Sequence, residues 1–265
     1  MTQRRYKRPY RVKRRKSFLL KAPFWFSALV FCSFIAGISF ACFSPWIQVS
    51  QIKVAGTQKV EKNEFTNALG ALTQKQLAIL QTKSILLFNL QTAKEQLLKQ
   101  FPQISDIKIT RQFPSTIYAS VLERAPAAAI KASDNAWHIV DSAGVVFENS
   151  TSSNDLFEIS SENFSQKVGL GQTAIAKDLL QQIMRVKASI EYDTNIQLAG
   201  ALIKNTQRVD LITKEGWQIY INPQKDLDWQ TAKLKAVASD PMFASQRKNL
   251  SYVDLRFTKV YVKQK

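Results

Sequence analysis

The chain has 265 residues, 45% of them hydrophobic and 22% charged, with a formal net charge of +17. A single histidine, two cysteines and eight scattered glycines leave little material for a metal cluster, a disulfide framework or a glycine-rich phosphate loop. The positive charge is concentrated at one end, which argues against reading it as a folded nucleic-acid surface.

Residues 1–60 contain no acid, and the first carboxylate is Glu61. Arg4, Arg5, Lys7, Arg8, Arg11, Lys13, Arg14, Arg15, Lys16 and Lys21 precede an apolar stretch, Phe24 to Phe43. Setting those bases aside leaves +7 of the +17. The stretch is roughly 20 residues, which at about 1.5 Å each matches the roughly 30 Å hydrocarbon core of a bilayer. Cationic flanks stay in the cytoplasm, so Arg11, Lys13, Arg14, Arg15, Lys16 and Lys21 read as a topology signal, with everything after Pro45 outside. A second reading gives the tail a contact with a cytoplasmic protein. A cleaved signal peptide has the same charge order, but its apolar core is typically about 7 to 15 residues. The Ser39-Phe40-Ala41 triplet and Cys42 are similar to cleavage and lipidation sites, yet a retained anchor fits better. Trp25 and Trp46 bracket the run, where interface aromatics belong. Cys32 and Cys42 are roughly 15 Å apart along a helix, too far for a disulfide. The exported part, about 220 residues, allows one or two domains.

Ile47 to Val54 reads as a strand, with a phase slip at Ser50-Gln51 that a bulge would explain. A short helix opens near Val60 and places Phe65, Ala68, Leu69 and Leu72 on one face. A second runs from about Thr92 to Gln100 and stops before Pro102. Ile104, Ile107 and Ile109 belong to one strand and Ile117, Ala119 and Val121 to the next, with a proline turn between them. Ala125 to Lys131 reads as a small-residue join. Beyond it, Trp137 to Val140 and Val145 to Phe147 flank the hairpin turn Asp141-Ser142-Ala143-Gly144. Leu156 to Ser160 is a weaker strand. Ala174 to Ile190 is an amphipathic helix. Ile196 to Ile203, Arg208 to Thr213 and Trp217 to Ile221 are strands, and Asp226 to Ser239 is a helix. Leu250 to Val262 reads as one long final strand.

The parts of an enzyme are lacking. His138 sits in a half-buried strand pattern, which makes it a strand residue and not a base, and no carboxylate pair or ligand spacing stands out. No cofactor is expected.

Several landmarks together resemble the FtsQ/DivIB family of bacterial cell-division proteins. The layout is a basic tail, one span, then a strand-helix-helix-strand-strand unit similar to a POTRA domain. Ile52-Lys53-Val54-Ala55-Gly56 is similar to that unit's first strand and turn, and Phe101-Pro102-Gln103-Ile104 through Ile117 to its closing hairpin. Leu122-Glu123-Arg124-Ala125-Pro126 matches a Glu-Arg-x-Pro join. Val140-Asp141-Ser142-Ala143-Gly144 matches an Asp-x-x-Gly hairpin, and Tyr252-Val253-Asp254-Leu255-Arg256-Phe257 a final-strand motif. The family often has a glycine shortly after that last motif, and Thr258-Lys259-Val260-Tyr261 has none.

The resemblance implies an α+β fold: a single N-terminal transmembrane helix, a POTRA domain of order β-α-α-β-β, then a mostly antiparallel β domain with two helices. The expected limits are 1–23 for the cytoplasmic tail, 24–43 for the span, 47–122 for the POTRA domain and 123–265 for the β domain. It further implies a non-catalytic scaffold in the inner (cytoplasmic) membrane at the division septum, with its N-terminus cytoplasmic and its bulk periplasmic. Such a scaffold recruits FtsB and FtsL, and through them the septal peptidoglycan synthase, chiefly by strand addition at the last strand. FtsK is implied as a further partner, through the POTRA unit or the anchor. Tyr252, Arg256, Phe257 and Lys259 are the expected partner contacts, with Arg208 one strand inward by sequence pairing with an acidic partner. Against this stand a POTRA-bearing transport component, whose barrel needs many more strands, a membrane-anchored cell-wall enzyme, and a protein attached by a DNA-binding tail.

Overall fold

The computed structural model describes residues 22–77, 80–131, 136–161 and 168–265. The basic residues read as a topology signal, Arg11, Lys13, Arg14, Arg15, Lys16 and Lys21, lie outside the described residues. The first element is helix α1, Ala22–Phe43. Within it Pro23–Phe40 is long and apolar enough to cross a membrane, and none of that window is buried in the protein. Large apolar side chains are open all round it, among them Trp25, Phe31, Phe34 and Phe40. A helix apolar on every face needs an apolar solvent.

Next come strand β1, Gln51–Ala55, helix α2, Lys62–Thr73, and a small hairpin of β2, Lys75–Leu77, and β3, Leu80–Thr82. Helix α3, Leu90–Gln100, and strands β4, Ile104–Gln112, and β5, Thr116–Glu123, complete this part. The three longer strands form a sheet of order β1-β5-β4. The expected β-α-α-β-β order is present, with the hairpin added between the helices. The first strand starts later than expected: Pro45–Ile47 is a 3-10 turn, and Gln48 bridges Ser84 outside any named strand. Proline at the start of that turn withholds a ladder donor. Strand β5 alternates cleanly, burying Ile117, Ala119 and Val121. Phe65, Leu69, Leu97, Ile104 and Ile107 are almost wholly buried, and the Phe65 and Phe101 rings meet at 5.5 Å.

The end of β5 carries a polar clamp. The Glu123 carboxylate accepts from the main-chain N–H groups of Gln58, Lys59 and Val60, at 2.8 to 3.1 Å. Burial alone raises this carboxyl, but the three main-chain donors and the Lys59 charge outweigh it and hold it below the usual glutamate value. A carboxyl depressed on folding contributes stability above its unfolded pKa, lost as pH falls through the folded one. Wild type is therefore more stable than Glu123→Gln at neutral pH, and the gap narrows as pH falls below about 4.3. Denaturant titrations of both chains at several pH values check this; a gap that stays constant with pH counts against it.

The remainder is built on one nine-stranded sheet. Its strands are β6, Ala128–Lys131, β7, Trp137–Val140, β8, Val146–Ser150, β9, Glu158–Ser161, β10, Leu198–Asn205, β11, Arg208–Thr213, β12, Gln218–Ile221, β13, Leu250–Asp254, and β14, Tyr261–Gln264. The order is β14-β13-β12-β11-β10-β9-β6-β7-β8. The segment read as a join thus contains a strand, β6. Neighbours are antiparallel except at β6/β9, β9/β10 and β12/β13. Two of those parallel pairs need crossovers. Helix α4, Lys177–Thr194, carries the chain from β9 to β10, and α5, Leu227–Ala238, with α6, Pro241–Gln246, carries it from β12 to β13. Helix α5 starts where Asp226 accepts the Trp229 N–H, and α6 where Asp240 accepts the Met242 N–H before Pro241. Ile183, Val186 and Ile190 of α4 and Leu234 of α5 join Leu211, Ile219, Val253 and the fully buried Trp217 in the core.

The Asp141-to-Gly144 turn is held from two sides. Asp141 Oδ1 accepts from the Ala143 and Val145 N–H groups, and its other oxygen meets Arg124, whose Nε–H donates to Pro102 O at 3.0 Å. Gly144 has φ +77°, and a Cβ there would meet Ile175 O at 2.1 Å, so no side chain fits.

By contact density the chain divides into two compact units. One takes in the chain up to Lys53 with Gly70–Asn89 and Arg111–Tyr118. The other holds Val54–Leu69, Leu90–Thr110 and Ala119–Lys265.

Candidate partner-binding edge

A sheet of nine strands ends in two edges, and among the described residues only one is partly covered. At β8, Val146 N–H donates to Gln172 O and accepts at its carbonyl from Gly171, while Val145 bridges Thr173. A loop therefore occupies the start of that edge. At the other end β14 pairs with β13 only, and no described strand lies beyond it. All four residues of β14 are exposed.

The register tells which β14 groups face outward. Tyr252 pairs with Lys263, Val253 with Val262 and Asp254 with Tyr261. Leu255 N–H donates to Tyr220 O on β12, and Lys265 N–H to Asn249 O. Alternation from these two bonds turns the main chains of Tyr261 and Lys263 toward β13, and those of Val262 and Gln264 outward.

Here the structure corrects the sequence reading. Leu250 to Val262 is not one long strand; it is the hairpin of β13 and β14 with a turn between. Arg256, Phe257 and Lys259 lie in that turn, so the alternation expected to sort them onto two faces does not apply. The turn has a local and a distant cause. Locally, Asp254 Oδ1 accepts the Arg256 N–H at 3.1 Å, an Asx turn that ends the strand. From α5, Lys233 donates to the carbonyls of Leu255 at 2.6 Å and Phe257 at 2.5 Å, and from the loop before α5, Lys225 donates to that of Arg256 at 3.1 Å. These carbonyls go to ammonium groups and not to a neighbouring strand. Burial and the nearby Lys225 charge lower the Lys233 pKa, opposed by the Asp254 carboxylate.

Of the expected contact residues, Tyr252, Arg256, Phe257 and Arg208 gather around a tyrosine the sequence did not single out, and Lys259 does not. Tyr220 lies between Asp210 of β11 and Asp254 of β13 in the sheet register. Its ring stacks on Tyr252 at 4.6 Å, and the Arg208 guanidinium sits 4.0 Å from its centroid. Arg256 lies 5.7 Å from the same ring and 5.4 Å from that of Phe257, which meets Tyr261 edge-on at 5.8 Å. Lys263 reaches to 6.0 Å over Tyr252. Lys259 is exposed in the turn. Arg208 is two strands from β13, with β12 between, and not one strand inward.

Both arginines are held by buried acids. Arg208 grips Asp210 through Nε at 2.7 Å and a second nitrogen at 2.9 Å, and Arg256 grips Asp254 at 2.9 and 2.6 Å. The bond to Asp210 pushes the Arg208 pKa above its ordinary value, and Asp254 does the same for Arg256, each against an opposing burial effect. Burial raises the Tyr220 hydroxyl, with the Asp210 charge adding to it. Two-point pairing fixes each guanidinium plane, so its outer face stacks on the aromatic row. The signal that would have found this cluster is the repeated Arg-x-Asp and Asp-x-Arg spacing: on β11 it puts Arg208 and Asp210 on one strand face, and after β13 the Asx turn brings Arg256 back onto Asp254.

His138 lies on β7, buried, with Nδ1 2.8 Å from Asn149 Oδ1. Among the described residues no group of three His, Cys, Asp or Glu is placed to hold a metal ion.

Comparison with known proteins points the same way as the fold. Residues 47–124 match the family model described as POTRA domain, FtsQ-type. Residues 128–256 match the model described as Cell division protein FtsQ/DivIB, C-terminal. The chain is 23% identical over 154 residues to Cell division protein FtsQ of Streptomyces bingchenggensis (strain BCW-1), a stretch covering 57% of this chain and 55% of that relative. The match thus spans about half the length of the curated relative. Taken with its apolar N-terminal helix, the matched segments make the chain a membrane-anchored member of the FtsQ/DivIB family of cell-division proteins.

Proposed function

We propose that the chain is a non-catalytic divisome scaffold that recruits FtsB and FtsL, and with them the septal peptidoglycan synthase, by adding a partner strand to the outer edge of β14. The observation that carries this reading is the bare edge itself: β14 ends a nine-stranded sheet whose opposite edge is partly occupied by a loop. An unpaired edge offers main-chain donors and acceptors to an extended segment. Lys263 on it and Lys265 at its end, with Lys259 in the turn before it, repel a second copy while favouring an acidic partner. The row Tyr252, Tyr220, Arg208 and Arg256, with Phe257 and Tyr261, supplies anchors beside the edge.

In this reading 47–122 is the POTRA domain and 123–265 the partner-binding domain, with the basic tail cytoplasmic and the sheet periplasmic at the division septum. FtsK contacts the POTRA unit or the anchor. The test is binding of the exported part of an FtsB-type partner to the full chain in lipid nanodiscs, with hydrogen exchange on the complex. The expected result is new protection of the Val262 and Gln264 amides on binding. Binding that protects other strands while leaving these two amides unchanged overturns the edge as the site.

A further inference from the structure

The compact unit that carries the anchor has a compositional property that its sequence scatters. Its three segments are Met1–Lys53, Gly70–Asn89 and Arg111–Tyr118. Not one of them contains an aspartate or a glutamate, although the whole chain has 20 acids. Beyond α1 the unit carries Lys53, Lys75, Lys83 and Arg111. Arg111 also has an internal task, donating to Phe88 O at 2.6 Å.

The unit is tied to the end of the span by a very short tether. Ser44 N–H still bonds back to Phe40 O, and Ile47 N–H to Ser44 O. Ile85 N–H then donates to Ile47 O and Val49 N–H to Lys83 O, each at 2.9 Å. Ser50 N–H donates to Ser115 O at 2.9 Å, and the two serine hydroxyls meet at 2.9 Å. From Phe43 to Ile47 is about 14 Å at full stretch. The headgroup zone beyond the hydrocarbon is itself about 5–8 Å deep on each side. The Lys83-to-Leu86 segment therefore stays at the membrane surface, and Ser115 is fastened beside it.

Three large apolar side chains of these segments are left open: Trp46 at 79% exposure, Phe113 at 66% and Leu86 at 46%. An exposed tryptophan three residues past the end of the span is where an interfacial anchor belongs. Open apolar side chains in a unit that carries lysines and no acids match a surface of acyl chains under anionic headgroups.

We propose that Trp46, Leu86 and Phe113, with Lys75 and Lys83, dock on the anionic outer surface of the membrane that α1 spans, so that the anchor-side end of the exported part is a lipid-binding face. This rests on α1 being a membrane anchor and is independent of the β14 edge. The docked face fixes the height of the POTRA unit above the bilayer, which a single span by itself leaves to its linker.

The test uses the full chain with Cys32→Ala and Cys42→Ala, and an environment-sensitive fluorophore on Phe113→Cys. It is reconstituted in vesicles of phosphatidylcholine alone or with 30 mol% phosphatidylglycerol, as an experimental choice. Lipids carrying a quencher near the headgroup should quench the probe strongly in the anionic vesicles. Quenching should fall at least about twofold without phosphatidylglycerol, and by a similar factor with Lys75→Glu and Lys83→Glu together. Circular dichroism on the same samples confirms that the double variant is folded. A probe that reports bulk water in both vesicles overturns the proposal. So does quenching indifferent to lipid charge and to both substitutions. A probe shielded only when a division protein is added would assign the face to that protein and overturn the lipid assignment. Carbonate extraction of the same vesicles separates the causes: an extractable chain brings down the anchor, whereas a retained chain with a wet probe brings down the docking alone.

Discussion

Val262→Pro should weaken binding of an FtsB-type exported segment at least about tenfold, with the fold intact, because it strikes the one main-chain face that β13 does not use. Val262 pairs with Val253 across the ladder, but its own N–H faces away. Proline deletes that donor, and its ring occupies the space where a partner strand must approach. Losing that one edge hydrogen bond removes about 0.5–1.5 kcal/mol, and the clash of the ring with the incoming strand carries the total past the about 1.4 kcal/mol that tenfold requires. The hairpin should survive, since edge strands tolerate proline on the solvent side. Lys263→Pro is the opposing control: its N–H faces β13, so this change should unpair the hairpin and lower stability as well as binding. Calorimetric titration with both variants, alongside thermal melts, decides the matter. If Val262→Pro binds like wild type and melts like wild type, the partner strand does not add to β14.

Asp141→Ala should cost about 3–5 kcal/mol of stability, the usual result of leaving one member of a buried, hydrogen-bonded ion pair alone. The side chains of Arg124 and Asp141 are only 16% and 9% exposed. Three groups lose their acceptor together: the Arg124 guanidinium and the Ala143 and Val145 N–H groups. Asp141→Asn should cost less, since its amide oxygen can still accept from the turn. With about 2–4 °C per kcal/mol for a domain of this size, the alanine variant should melt roughly 6–20 °C lower. A loss below about 1 kcal/mol by urea denaturation would show that Arg124 finds another acceptor. This pair also gives the physical content of two motifs read from the sequence. Glu123-Arg124 ends β5 with one side chain clamping residues 58–60 and the other gripping the Asp141 turn.

Local signals were enough for much of the fold. The α5 start at Asp226 and the turn at Gly216 each rest on a few adjacent residues, and strand β11 coincides with the expected Arg208–Thr213. The short helix α6 has a local signal of its own in Asp240-Pro241, an N-cap acid before a proline. The final strand shows where such signals stop. Its β-branched pattern is real, and Asp254 even carries the Asx-turn chemistry. Whether a chain of that pattern runs on or folds back depends on what receives its carbonyls, and here Lys233 arrives from α5 and Lys225 from the loop before it.

By itself the sequence determined the apolar N-terminal helix, most of the element types and the family, because hydrophobic period and turn chemistry act over a few residues. Only the tertiary structure decided which strand is the open edge, since sheet order comes from crossovers and not from any strand's own composition. It also decided that Arg208, Tyr220, Tyr252 and Arg256 form one cluster, and that three acid-free segments meet beside the membrane span. Those groupings are contacts between distant residues, and in a single sequence no local propensity encodes them.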